Sequence, residues 1–179
     1  MGIKNLSYCV FNKNTCSVVE WDNISIIPSE NKVKSYTIDK ILDKLFKSLD
    51  NINLTEKYGN EIESIFIENQ PTKNPKMKNI QIGTFSYYII KNEFNYKVKL
   101  ISSKNKLKFN EVKEIDEILY KSKQKYTQRK KLAIQLCNLF IKKYNFDNIK
   151  DFFVTSKKKD DLADSFLYCM YIYLNLNNF

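Results

Sequence analysis

Three carboxylates stand out by position. Glu68 closes the short apolar run Ser64-Ile65-Phe66-Ile67, while Asp161 and Asp164 lie three residues apart near the start of the last helical stretch. A spacing of three puts two side chains on one helix face. A carboxylate at a strand end and a pair at a helix start can converge in an α/β fold, because ligand crevices open outside the carboxyl ends of the strands. Oxygen donors without His or Cys are what Mg2+ or Mn2+ prefers. Two such cations about 4 Å apart can activate a water and stabilise the leaving oxygen of a phosphodiester. Crowded like charges repel, so a bound cation is a physical reason to gather them. A plainer reading stays open beside this one. Asp160, Asp161 and Asp164 suit a helix start as caps and dipole partners, and a Glu after a strand is commonly an exposed loop residue.

The elements that must position these groups can be read from hydrophobic periodicity. Leu6 to Phe11 and Cys16 to Trp21 read as two strands joined at Asn12-Lys13-Asn14, a hairpin signal. Asp22 to Lys34 is polar and reads as a loop. From Thr37, the residues Ile38, Ile41, Leu42, Leu45, Phe46 and Leu49 recur at helical spacing. Asn51 to Asn60 reads as a connection. The run ending in Glu68 resembles a buried central strand with a polar residue at its carboxyl end. Pro71 and Pro75 bracket a loop, a helix is predicted over 76–91, and a strand over Tyr96 to Ile101. Ser102 to Gln124 is rich in Lys and Glu and reads as an excursion. Thr127 is the predicted cap of a helix through Tyr144 that buries Leu132, Leu136, Leu139 and Phe140. Asp147 to Thr155 reads as a link. The last helix, 159–174, turns Ala163, Phe166, Leu167, Met170 and Leu174 inward. The order β-β-α-β-α-β-α-α predicts an α/β fold with a mixed sheet and helices packed on it.

The composition bounds what such a fold could do. A chain of 179 residues with 43% hydrophobic content supports one domain, 1–179, with a packed core. Lys and Arg outnumber Asp and Glu by 30 to 20, giving +10, nearly all of it from Lys. That balance suits a polyanion, with nucleic acid the first candidate, and equally suits solvated helix faces. The chain contains no histidine, which excludes a His-based triad, a zinc hydrolase and a haem site. Cys9, Cys16, Cys137 and Cys169 match no zinc spacing and sit in apolar runs, as reduced core cysteines of an intracellular protein do. No stretch is apolar over the ~18 residues of a membrane span, and the polar start is unlike a signal peptide. A soluble, intracellular protein with no membrane partner is the expectation.

Four segments then weight the carboxylates toward chemistry. Gly2-Ile3-Lys4-Asn5 before an apolar strand resembles the end of an Asp-Ile-Gly-Xaa-Lys-Asn motif. Ile67-Glu68-Asn69-Gln70-Pro71 resembles a Glu-Xaa-Gln-Pro motif. Tyr126-Thr127-Gln128-Arg129-Lys130-Lys131 resembles a basic helix start, and Lys158-Lys159-Asp160-Asp161-Leu162-Ala163-Asp164-Ser165-Phe166 resembles a Lys-Xaa-Asp-Asp-Xaa-Ala-Asp-Ser block. In this order and over nearly the whole chain, they resemble the poxvirus Holliday junction resolvases. Related proteins occur in other large DNA viruses, phages and mitochondria, with RuvC as the bacterial relative.

The resemblance implies a ribonuclease H-like, RuvC-type mixed sheet flanked by helices. It also implies a metal-dependent endonuclease that cuts four-way DNA junctions, using Mg2+ or Mn2+ held by four acids. Carried over by position, Glu68 matches the second acid and Asp161 and Asp164 the third and fourth. Asp160 is an extra acid, expected as a cap or outer-shell group. The first acid would precede the Ile-Gly-Xaa-Lys-Asn segment, where Met1 stands in the Ile position. The first strand is therefore expected to be truncated and cleavage by residues 1–179 alone to be weak or absent.

Partners follow from the same reading. Lys4 resembles the motif lysine beside the metal. Lys73, Lys76 and Lys78 could line the rim near Glu68. Arg129, Lys130 and Lys131, expected in a first helical turn where the dipole disfavours cations, and Lys157, Lys158 and Lys159 could hold backbone phosphates. For each cluster a solvated surface run is the alternative. Tyr87 or Tyr88 could stack at a junction. The resemblance implies a homodimer acting on two symmetric strands, with the 76–91 helix, carrying Ile80, Ile82, Phe85, Tyr88 and Ile89, as candidate interface. Two other functions compete: a branched-DNA binding protein without catalysis, and another ribonuclease H-like nuclease such as a transposase or hybrid nuclease.

Overall fold

The computed structural model describes residues 4–28, 35–109 and 125–175. Gly2 and Ile3, the end of the Asp22–Lys34 loop, and the Ser102–Gln124 excursion from residue 110 onward lie outside the described residues. The protein is mixed α/β, with two small sheets flanked by helices, and it divides into two compact units: Met1–Leu6 with Ile24–Ser103, and Ser7–Asn23 with Lys104–Phe179.

In the first unit, α1 (Ile38–Ile52) buries Ile41, Leu45, Leu49 and Ile52, one stripe at three- and four-residue steps. It ends at Asn53, whose left-handed backbone (φ 51°) suits the short polar side chain of Asn. The segment expected as a plain connection instead forms α2 (Leu54–Tyr58) and a 3-10 turn over Gly59–Glu61. Strand β3 (Ser64–Asn69) pairs in parallel with β4 (Lys97–Ser102), Glu68 standing opposite Ile101. The crossover between them is α3 (Pro75–Ile90), as a parallel pair requires. Asn74 caps α3 by accepting the Met77 N–H at 3.3 Å, and Pro75 takes the first helical position, where its missing N–H costs nothing. Helices α1 and α3 lie close: a Cβ on Gly83 would stand 2.7 Å from Leu42 Cδ2. The run ending in Glu68 is less enclosed than a central strand. Only Ile67 is fully buried, and among the described residues β3 has β4 as its one partner.

The second unit is built on the hairpin of β1 (Asn5–Asn12) and β2 (Ser17–Ser25) and three helices. The strands are longer than expected, and β2 takes in the start of the supposed loop. Most of both strands belongs here. The four-residue connection forces antiparallel pairing, and Tyr8 Oη donates to Glu20 Oε1 across the pair at 2.5 Å. The helices are α4 (Lys125–Lys143), α5 (Asp147–Thr155) and α6 (Lys159–Leu174). The expected link at 147–155 is thus a helix, and it buries Ile149 and Phe153. Thr127 lies inside α4 rather than capping it. Leu174 is exposed, whereas Leu162 and Tyr168 join the buried face of α6.

Trp21 knits hairpin to helices. Its ring stacks on Phe153 at 5.2 Å between centroids and leans on Phe166 at 5.4 Å. Its indole N–H donates to the Leu162 carbonyl at 3.1 Å and Ser165 Oγ at 3.0 Å. A buried indole needs a partner for that N–H, and here the partners sit in the first turns of α6. The core around it holds Val18, Leu136, Phe140, Phe166, Leu167 and Met170.

Candidate functional site

The sequence singled out groups in both units, and each unit fixes its own. In the first, Glu68 is the next-to-last residue of β3 and half-buried. Its Oε2 accepts from Gln70 Nε2 at 2.9 Å. Gln70 is itself buried and is held through its backbone N–H, which donates to Gln81 Oε1 at 2.7 Å. Gln81, 2% exposed on α3, also accepts from Lys78 Nζ at 3.1 Å, and that ammonium reaches Asn69 Oδ1 at 3.0 Å. The turn after β3 is therefore a chain of satisfied polar groups, which fixes the direction of the Glu68 carboxylate.

The rim lysines differ in their surroundings. Lys73 is exposed. Lys76 donates to the Tyr36 carbonyl at 3.1 Å, and Lys78 is spent on Gln81 and Asn69. Lys4 is half-buried, and its carbonyl accepts the backbone N–H groups of Ile26 and Ile27 at 2.7 and 3.2 Å. Tyr88 is buried, so it cannot stack on a base as proposed from sequence. Tyr87 donates to Asp50 Oδ1 at 2.8 Å and stacks on Phe46. On α3, Ile80 and Tyr88 are core, whereas Ile82 and Ile89 are about half exposed (51% and 49%), seven residues apart on one side of the helix.

In the second unit, α6 carries Asp160, Asp161 and Asp164, all half-buried. Asp160 is not a cap. The N-cap is Lys158, whose side chain makes no capping bond, and Asp160 Oδ2 instead accepts from Lys130 Nζ of α4 at 2.6 Å. Burial works to raise the Asp160 carboxyl, but the hydrogen bond and charge of Lys130 outweigh it, so the carboxyl is held below its usual value. Asp164 Oδ2 is bonded to the ammonium of Lys106, which also lies 5.7 Å from the centre of the Tyr168 ring. Both members of this pair are largely shielded, with 18% and 27% of their side-chain surface exposed. Lys106 follows β4 in a 3-10 turn over Asn105–Leu107, packed near α6.

The basic cluster of α4 is not in a first turn, because the helix begins at Lys125. The dipole argument for a phosphate partner at Arg129, Lys130 and Lys131 therefore falls away. Arg129 and Lys131 are exposed and Lys130 is tied to Asp160. Lys157 and Lys158 are exposed ahead of α6, and Lys159 is half-buried.

Sequence reasoning did not single out Lys106, and it gave Gln70 and Gln81 no role of their own. Lys106 is one of many lysines in a polar stretch, and the partner that distinguishes it lies 58 residues away. Gln81 carried a faint signal as a polar residue between the apolar Ile80 and Ile82.

The donors at hand are oxygen-only, which suits Mg2+ or Mn2+. Among the described residues, however, no three His, Cys, Asp or Glu side chains gather as a metal-holding group. Glu68 belongs to one unit and the Asp pair to the other. Among the described residues, no helix is long and apolar enough to cross a membrane.

No protein family model matches the chain, and no solved structure matches it. An uncharacterized protein of Acanthamoeba polyphaga mimivirus is 35% identical to it over 146 residues, 75% of this chain. The chain spans about a third of the length of that relative, 34%.

Proposed function

We propose that this chain is a ribonuclease H-like protein of the poxvirus resolvase type that acts on branched DNA as a divalent-metal-dependent endonuclease. The observation that carries the reading is the placement of the motif acids on their own elements. Glu68 is the next-to-last residue of a parallel strand with its carboxylate steered by Gln70, and Asp161 and Asp164 stand one turn apart at the start of α6. In a catalytic assembly these three would hold Mg2+ or Mn2+, which supplies water activation and charge neutralisation at the phosphodiester when bound. Gln70 keeps Glu68 aimed. Lys106 balances the Asp164 charge in the free protein and offers a cation to a phosphate oxygen. Arg129, Lys131, Lys73 and Lys158 add phosphate contacts without sequence readout. A homodimer is the matching assembly for a four-way junction, with the exposed side of α3 as its candidate face. An intracellular setting in a large DNA virus accords with this reading, as does the mimivirus relative.

A second reading is favoured by one observation. Asp164 is bonded to Lys106 and Asp160 to Lys130, which suits a protein that binds branched DNA and cuts it weakly or not at all. Labelled four-way junction, linear duplex and RNA–DNA hybrid, incubated with the protein in Mg2+ and in Mn2+, test both. Paired symmetric nicks on the junction alone support the endonuclease. Junction-selective binding without nicks supports the binding protein. Cleavage of the hybrid alone points to another ribonuclease H-like enzyme, and equal weak binding to all three substrates without cleavage overturns the proposal.

A further inference from the structure

Strand β1 and helix α6 run side by side in matched steps. Ser7 Oγ meets Ser165 Oγ at 3.0 Å, Cys169 Sγ donates to the Cys9 carbonyl at 3.5 Å, and the Phe11 ring meets that of Tyr173 at 5.4 Å. Each step is two residues on the strand, about 6.6 Å, and four on the helix, about 6 Å. The two rises nearly coincide, so three successive strand residues on one face meet three successive helix turns. Cys9 and Cys169 are the middle pair, held in register by contacts on either side. All four cysteines are reduced thiols in this structure.

We propose that Cys9 and Cys169 are a reversible disulfide site that clamps β1 to α6 under oxidation by a small disulfide such as oxidised glutathione. The two thiols lose their protons and two electrons, the S–S bond of the small disulfide breaks, and one protein S–S bond and two small thiols form. Burial first, and then the neighbouring thiols of Cys169 and Cys137, push the Cys9 thiol up. The small thiol first forms a mixed disulfide with one of the two cysteines, and the thiol of the other displaces it. Both residues keep part of their surface exposed, whereas Cys137 is fully buried. The bond would close 160 residues of chain and anchor α6 five residues beyond Asp164. It would form whether or not the protein cuts DNA.

The test equilibrates the full chain with reduced and oxidised glutathione, blocks remaining thiols and maps linked peptides without reductant. The expected result is one intramolecular Cys9–Cys169 link and loss of two of the four titratable thiols. The thermal midpoint should rise by roughly 5–10 °C and return on addition of dithiothreitol. Cys169→Ala should abolish the rise and Cys137→Ala should keep it. Peptide mapping of the unmutated chain decides the matter even if a variant fails to fold. A Cys9–Cys137 link, links only between molecules, or four thiols surviving excess oxidised glutathione would each overturn the proposal.

Discussion

The ammonium of Lys106 is bonded to the Oδ2 of Asp164, joining the turn after β4 to the second turn of α6. Because the pair is mostly shielded from water, its value lies between that of an exposed ion pair and a buried one. Removing Lys106 alone leaves a half-buried carboxylate without this cation. Lys106→Met should destabilise the protein by about 1–2 kcal/mol, read from urea unfolding. Lys106→Met with Asp164→Asn should cost less than the two single changes summed. Strict additivity would mean that the contact contributes nothing.

Lys130 and Asp160 make a second tie to α6, and its pH dependence has a fixed sign. The Asp160 carboxyl titrates below its ordinary value of 3.8 when folded. A depressed folded pKa contributes stability that is present above 3.8 and is lost as the pH falls through the lower folded value. Both side chains retain some exposure, 44% and 24%, so the contribution is below about 1 kcal/mol. Thermal melts of Lys130→Met should trail the parent at about pH 6, with the gap closing on acidification below 3.8. A gap that widens in acid would contradict the assignment.

Gln81 holds the turn behind Glu68. Gln81→Leu keeps the volume near but leaves the Gln70 backbone N–H without its acceptor, at a cost of about 1–3 kcal/mol. If Glu68 is a metal ligand, the same change should weaken Mn2+ binding to the folded protein, measured by calorimetry, and Gln81→Glu should restore part of it by keeping an acceptor oxygen. An unchanged Mn2+ affinity in a folded Gln81→Leu protein would remove Gln81 from the site.

Junction affinity should separate the lysines by their existing partners. Arg129→Ala and Lys131→Ala, at exposed positions, should each lower junction affinity and flatten its salt dependence by about one charge. Lys78→Ala should change salt dependence less, because Lys78 is engaged by Gln81 and Asn69. Fluorescence anisotropy across a salt series reads this. Equal slopes for all variants would reject α4 as a DNA-facing element.

The exposed pair Ile82 and Ile89 gives the dimer expectation a direct test. Ile82→Glu with Ile89→Glu should leave the fold intact, since both side chains are about half exposed, and should convert any dimer seen by sedimentation to monomer. A dimer that survives the double change does not use this face of α3.

Where one face is buried and the other wet, periodicity reports it. The stripe of α1, the hairpin, the βαβ unit around α3 and the span of α6 were therefore legible in the sequence. Helix α5 was not, because it is short and buries only Ile149 and Phe153 while Phe152 and Val154 stay exposed, so its helicity depends on packing beneath Trp21. Thr127 has the residue type of a cap, yet it lies inside α4, which is already helical at Lys125. Of the candidate site, the sequence by itself determined that Asp161 and Asp164 share one helix face and that the acidic donors are oxygen-only, since residue type and spacing along one element are local properties. Only the tertiary structure decided that Asp164 and Asp160 are each neutralised by a lysine, that Gln70 and Gln81 steer Glu68, and that Tyr88 is core. These are contacts between residues distant in the chain, and no local pattern encodes which of thirty similar basic side chains will meet a given acid.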